Sequence, residues 1–220
     1  DPERWSPPLT TAVDIAMRFP AAGLKLAPGI DRDRLPLDGE REFISLEGRL
    51  VAAVLWLGEL AVDERRATVI AGDGTAAELR GTADVADGRV AAVGRYLYDP
   101  NPGVGRAQLI HTLAERIRAW QLDARVAYLS SDEPVTTVFA RRFRVLATLP
   151  FSERRLLDEL RSLQAGRVEV MRRGSPIEPN ELASRLDRRL DGDRVVTVAL
   201  TRVGSEATAI VCERERDDAS

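Results

Sequence analysis

The sequence predicts a chain of mixed α/β and α+β class, and three observations carry that expectation. Residues 5–57 run helix, strand, hairpin, the order in which the C-terminal half of a Rossmann-like sheet closes. Residues 94–173 run β-α-β-β-α-β, the order of a ferredoxin-like unit, in which two split βαβ halves pack two helices on one face of an antiparallel sheet. Residues 174–213 add a helix and a final hairpin, a small α-β-β module. The expected organisation is therefore residues 1–62, a hairpin and linker over 63–93, a ferredoxin-like domain over 94–173, the small module over 174–213, and a charged tail over 214–220.

The elements follow from local chemistry. Pro7 and Pro8 are tolerated only in the first turn of a helix, so the first helix starts near Ser6, with Leu9, Val13, Ala16, Met17 and Phe19 inward. Gly23–Ile30 is a short apolar strand closed by Pro28-Gly29. Residues 41–46 and 49–57 are strands around Glu47-Gly48, a two-residue hairpin turn, and their apolar runs suit burial on both faces. A second hairpin surrounds Gly72-Asp73-Gly74. Residues 81–94 read as a linker with one short strand, Val90–Val93. Pro100 and Pro102 cannot donate to a ladder, so the strand at 95–98 ends there. A helix over 104–120 places Ile110, Leu113, Ala114 and Ile117 on one face, and strands follow at 126–131 and 143–149. Ser152 caps a helix over 152–163 with Leu156, Leu157, Leu160 and Leu163 inward, and Gly166 hands over to a strand at 168–172 through a positive φ. The helix over 179–190 carries Leu182, Leu186 and Leu190 on one face. The last hairpin pairs 194–203 with 206–212 across Gly204-Ser205.

Composition bounds the function. With 220 residues and 44% hydrophobic content, the chain has enough apolar material for a real core. It has no apolar run of membrane length and no basic-then-apolar leader, so a soluble, cytoplasmic protein is expected. Cys212 is the sole cysteine and His111 the sole histidine, which excludes a disulfide framework and the usual zinc clusters; no metal is expected. A net charge of −3 argues against a uniformly basic nucleic-acid binder. Lys25 is the only lysine among 32 basic residues, so arginine clusters must be judged by position.

Arg141, Arg142 and Arg144, with Arg172 and Arg173, are the RNA-binding candidates: their strands belong to one expected sheet, where their charges converge on phosphates or form a solvated surface. Tyr96, Tyr98 and Asp99 read either as a polar aromatic surface or as ordinary strand residues. His111, with no second histidine or nearby cysteine, reads as structural. Ser130-Ser131-Asp132-Glu133 lacks a partner base and reads as a strand-to-loop turn.

Six stretches together resemble a bacterial family of class I S-adenosylmethionine-dependent methyltransferases with a C-terminal THUMP-like domain. They are Asp1-Pro2-Glu3-Arg4, Gly23–Ile30, Val54–Gly58, Gly94–Pro100, Tyr128–Asp132 and Leu200-Thr201-Arg202. The resemblance implies a methyltransferase domain, then a ferredoxin-like domain, then a THUMP-like module that binds structured RNA, a tRNA or rRNA. It also implies that Asp1-Pro2-Glu3-Arg4 is the catalytic loop facing the methyl donor. There Asp1 and Pro2 orient an exocyclic amine, and Arg4 or Trp5 covers the base in place of the usual aromatic residue. The donor-binding half of such a fold carries a glycine-rich turn and an acidic residue ending the second strand. Neither is present here, and Gly72-Asp73-Gly74 opens no helix. The expectation is the C-terminal portion of such an enzyme, with an incomplete S-adenosylmethionine site. The competing class is a non-catalytic RNA-binding or protein-interaction module.

Overall fold

The computed structural model describes residues 1–31, 35, 39–83, 88–204 and 206–215. The chain divides into two units, Asp1–Val85 with Asn101–Leu113, and Ala86–Pro100 with Ala114–Ser220. The expected linker over 81–94 and the charged tail lie partly outside the described residues, and Ser205 of the final turn lies wholly outside them.

Unit one is a five-stranded sheet built from β1 (Ala21–Leu26), β2 (Glu40–Leu46), β3 (Arg49–Gly58), β4 (Arg65–Ile70) and β5 (Ala76–Gly81), in the order β1-β3-β2-β4-β5. β3 is antiparallel to both β1 and β2, and β4 returns parallel to β2. The turn between β2 and β3 holds Glu47 at φ 49° and Gly48 at φ 78°, the doubly positive pair that matches the strands' twist. The hairpin β4–β5, expected as a link between domains, extends this sheet instead. α1 (Leu9–Ala16) buries Leu9 and Ala16, but Met17 and Phe19 are 59% and 60% exposed, contrary to the expected inward face. The helix stops at Ala16, so the helical period no longer sets where those two side chains lie.

Charge is buried in this sheet in a network of ion pairs and hydrogen bonds, with Arg66 Nε and Glu40 Oε1 held by their ion pair alone. Glu42 accepts hydrogen bonds from Trp56 Nε1 at 2.7 Å and Thr68 Oγ1 at 2.5 Å. Glu40 accepts from the backbone of Val62 and Asp63 and ion-pairs with Arg66 at 2.6 Å.

The helix expected over 104–120 is two short helices. α2 (Pro102–Ala107) ends where Gln108 turns left-handed, at φ 58° and ψ 47°. It buries Val104 and Ala107, lying against β2 and β4 of unit one. α3 (Ile110–Arg116) follows, and the chain then extends into β7 (Trp120–Asp123). Asp123 Oδ1 accepts the Arg125 N–H at 2.9 Å, the local turn that folds β7 back on β8 (Val126–Ser131).

Unit two is a seven-stranded sheet. To β7 and β8 it adds β6 (Tyr96–Pro100), β9 (Ala140–Pro150), β10 (Ala165–Arg172), β11 (Arg194–Val203) and β12 (Glu206–Arg214), in the order β10-β11-β12-β9-β6-β8-β7. This differs from the ferredoxin-like expectation. β6 is antiparallel to both β8 and β9, and the hairpin β11–β12 inserts between β9 and β10. The reason is the apolar double-sided character of β11 and β12, whose Val196, Val198 and Leu200 face one way and Ala199 the other. Such strands are most stable with neighbours on both edges and cover on both faces. α4 (Glu153–Ser162) and α5 (Pro179–Asp187) cover one face with Leu156, Leu157, Leu160, Leu182 and Leu186. On the opposite face Leu97, Leu122, Tyr128, Phe143, Ile210 and Cys212 form a second core. The short strand expected at 90–93 is an isolated bridge from Val90 to Gln121.

Gly166 is not the positive-φ residue; Gln164 is, at φ 56°. Gly166 is required instead for close approach, since a Cβ there would lie 1.9 Å from the Gly192 carbonyl oxygen. A Cβ on Gly192 would lie 2.0 Å from that of Gln164. Among the described residues no helix is long and apolar enough to cross a membrane.

Two outcomes follow from the packing. Gly192→Ala should lower stability by about 3 kcal/mol, the upper end for overpacking, whereas Gly105→Ala should raise it by about 0.5 to 1 kcal/mol. A Cβ on Gly105, in α2, meets nothing within 4 Å. Urea unfolding midpoints distinguish the two. Burial, with a smaller contribution from the Asp99 charge, pushes the Cys212 thiol up to about 12. A folded pKa above the unfolded one favours the protonated native state, so this contribution is full below the ordinary thiol range and lost as pH rises from there through about 12. Iodoacetamide should therefore leave native Cys212 unmodified at neutral pH and alkylate it on unfolding in urea; rapid native alkylation would contradict the burial.

Candidate functional site

The N-terminal loop is locally determined. Asp1 precedes a proline and caps a single 3₁₀ turn, Pro2–Arg4, its Oδ1 accepting the Glu3 N–H at 3.2 Å. Glu3 Oε2 accepts from Thr10 Oγ1 of α1 at 2.7 Å, and Pro2 is buried. The segment after β1 turns at Ala27, where the Ile30 N–H reaches the Ala27 carbonyl at 3.0 Å. The Arg106 guanidinium of α2 donates to the Ile30 carbonyl and holds that turn in place.

Asp1, Pro2 and Trp5 form one wall of a cleft of about 540 Å³, and Ala27, Gly29, Ile30 and Asp31 form the other. Of the residues expected in the catalytic loop, Asp1 and Pro2 are on the lining, while Arg4 is exposed and outside it. Asp31 was missed by sequence reasoning. The signal that points to it is topological: ligands of α/β sheets bind beyond the carboxyl ends of strands, and 27–31 is the segment leaving β1 at that end. Among the described residues the lining offers two carboxylates, an indole and aliphatic surface, and no lysine or arginine. Such a cleft suits a planar group carrying hydrogen-bond donors or positive charge, and disfavours phosphate. It does not provide a cradle for the adenosine end of S-adenosylmethionine. Among the described residues, Gly72-Asp73-Gly74 lies between strands β4 and β5, not between a strand and a helix.

The five candidate arginines do not converge. Strand alternation puts Arg141 on the face of Phe143 and sends Arg142 and Arg144 to the opposite one. Arg141 and Arg173 meet on Asp99, at 2.5 and 2.8 Å. Arg173 also donates to the Pro100 carbonyl at 2.8 Å, and its guanidinium lies 5.6 Å from the Tyr128 ring centre. Burial, then the Asp99 charge, raises the Tyr128 phenol above its ordinary range. Arg142 pairs with Glu215 at 2.9 Å and Arg144 with Glu213 at 2.6 Å. The Arg144 hydrogen bond, followed by that of Arg194, holds the Glu213 carboxyl below the usual carboxylate range. Arg172 pairs with Glu178 at 2.5 Å and donates to the Ile177 carbonyl at 3.0 Å. Each arginine is thus matched to a carboxylate.

The polar residues around Tyr98 organise a loop. The Tyr98 hydroxyl accepts the Val135 N–H at 2.9 Å and donates to the Glu133 carbonyl at 3.3 Å. Ser130 Oγ donates to the Tyr96 carbonyl at 2.7 Å, and Ser131 Oγ to that of Glu133 at 2.5 Å. These serines shape a strand-to-loop turn. His111 is half-buried on α3. Among the described residues no group of three His, Cys, Asp or Glu side chains is arranged to hold a metal ion.

Comparison with known proteins adds three findings. Residues 140–214 match the family described as THUMP domain-like, a range that coincides with β9 to β12 and includes α4 and α5. The match therefore begins well before residue 174, where the expected module starts. Two uncharacterized S-adenosylmethionine-dependent methyltransferases, from two strains of Mycobacterium tuberculosis, are each 39% identical over 202 residues. That alignment covers 88% of this chain and 54% of the relative, so the chain spans about half the length of the curated relatives it matches. The fold is shared with the crystal structure of a candidate methyltransferase from Porphyromonas gingivalis at 16% identity and a TM-score of 0.69, over 94% of this chain and 54% of that one. Residues 140–214 are a THUMP-like domain, in a chain homologous to S-adenosylmethionine-dependent methyltransferases.

Proposed function

We propose that this chain is the acceptor-handling, RNA-gripping C-terminal portion of a class I S-adenosylmethionine-dependent methyltransferase that modifies structured RNA, a tRNA or rRNA. The observation that carries the reading is the cleft in which the Asp1-Pro2 loop faces Asp31 across Trp5 and Ile30. In it the Asp1 carboxylate accepts an N–H from an exocyclic amine, which fixes the nitrogen's orientation, and the Trp5 indole covers the base ring. Asp31 is the second acceptor for the amine, and either carboxylate can take the proton it sheds. The methyl donor supplies an electrophilic carbon, and residues outside this chain hold its adenosine. Homology to methyltransferases and the presence of a THUMP-like domain support the reaction class and the RNA partner respectively. A soluble, cytoplasmic protein fits this role.

In this reading Arg141, Arg142, Arg144, Arg172 and Arg173 reach RNA phosphates only by exchanging a carboxylate for a phosphate. The second reading, a non-catalytic RNA-binding or protein-interaction module, is favoured by one observation: the glycine turn of the described residues opens no helix.

Three measurements test the proposal. Calorimetric titration of residues 1–220 with S-adenosylmethionine should show no micromolar binding; such binding would sink the portion reading. In the longer parent enzyme, Asp1→Ala should lower kcat/KM by about a hundredfold or more, the scale for losing one positioned polar group, and unchanged turnover would favour the non-catalytic module. Arg172→Ala/Arg173→Ala should flatten the salt dependence of RNA binding by less than the roughly 1.4 log units per log unit of salt expected of two direct single-strand contacts.

A further inference from the structure

Unit two has a second cleft, of about 530 Å³, between Arg116, Arg118 and Trp120 on one side and Asp132, Glu133, Pro134 and Val135 on the other. All of these residues lie outside the THUMP-like range 140–214. The arginines here are held differently from the five discussed above. Among the described residues, Arg116, Arg118 and Arg89 make no ion pair. Aromatic rings support two of them: the Arg116 guanidinium lies 5.2 Å from the Phe139 ring centre and that of Arg89 lies 4.8 Å from Trp120's. Trp120 is itself anchored, its Nε1 donating to the Ala92 carbonyl at 2.7 Å. A guanidinium held by a ring keeps the N–H donors at its edge and an uncompensated charge, whereas one held by a carboxylate has its charge offset and part of its donors engaged. The facing wall is firm as well, since the Tyr98 hydroxyl fastens the Glu133 carbonyl and the Val135 N–H, and Asp132 Oδ1 accepts the Arg95 N–H at 3.3 Å.

We propose that this cleft is a nucleotide subsite for single-stranded RNA, with a phosphate against Arg116 and Arg118 and an exocyclic amine of the base against the acidic wall. Volume and polarity agree: a cleft of this size takes one nucleotide, arginine donors match phosphate oxygens, and carboxylates accept from base amines. The inference rests on the reading of RNA as the partner and names where a strand is gripped.

The test uses Arg118→Gly with Arg116→Gln. Arg118 holds φ 52°, a left-handed backbone that glycine adopts without strain, so the substitution removes charge while suiting the fold. Binding isotherms of the full chain with labelled oligocytidine of about 12 nucleotides, a length within the site sizes of single-strand binders, are measured across a salt series. The double variant should bind more weakly, with a log–log slope smaller by about 1.4 for two lost contacts, while Arg142→Ala/Arg144→Ala should change the slope less. Melting curves check the fold, and Arg116→Gln alone should still lower the slope by about 0.7 if the double variant melts early. Glu133→Gln should weaken oligocytidine more than oligouridine, whose base lacks an exocyclic amine. Intact wild-type binding with an unchanged slope in the variants overturns the subsite and leaves the RNA reading standing. Absence of salt-dependent oligocytidine binding by the wild type overturns the subsite, and absence of binding to a folded tRNA and rRNA as well overturns both. Displacement of the RNA by inorganic phosphate at concentrations near the RNA's own Kd makes the cleft a small-anion site and overturns the proposal.

Discussion

Unit two depends on how β9 is paired. Its residues 140–144 hydrogen-bond to β6 and residues 143–150 to β12, so one strand stitches the THUMP-like strands to β6, β8 and β7. Ladders on both edges leave the register no freedom, and register decides the face of each side chain. Phe143 enters the core beside Leu97, Tyr128 and Cys212, while Arg144 emerges on the other face directly across from Glu213. A slip of one residue would drive an arginine into that core and expose Phe143, at a cost far above the stability of a domain this size.

The same alternation governs the electrostatics. An arginine-rich chain with net negative charge has carboxylates to set beside its guanidinium groups, and the second unit does so at Asp99, Glu178, Glu213 and Glu215. The exposed pairs at Glu178 and Glu213 contribute at most about 1 kcal/mol each and mainly neutralise the surface, whereas Asp99 is buried. The pair of Arg66 and Glu40 in unit one is different in kind because both side chains are nearly out of solvent. Its net contribution is small, but removing one partner would strand a buried charge, costing about 3–5 kcal/mol. Arg116 and Arg89 differ from these in being held against Phe139 and Trp120 with no ion pair among the described residues.

The two clefts have complementary chemistry. That of unit one combines carboxylates with an indole; that of unit two sets arginines opposite carboxylates. An RNA strand presents both kinds of group, amines on its bases and charge on its backbone. An aromatic side chain lines each cleft, Trp5 in one and Trp120 in the other, and gives it a fixed apolar surface at low entropic cost.

Sequence alone determined the elements whose signals are local. The turn at Glu47-Gly48, the apolar stripe of Leu156, Leu157 and Leu160, and the strand over 126–131 follow from dihedral preference and periodicity, which short-range sterics enforce. The loop at Asp1-Pro2 was legible only through the family resemblance; its capped turn is a feature of the structure. Tertiary structure alone decided the rest. Which strands become neighbours depends on contacts far apart in the chain, so the insertion of β11–β12 between β9 and β10 had no local signature. Neither did the pairing of Arg141 and Arg173 on Asp99, which joins three segments separated by 42 and 74 positions. Asp31 joined the cleft only because the fold returns the end of β1 to the first residues of the chain. Arg89 and Arg116 look like any other arginines in the sequence; only packing reveals that rings stand beside them.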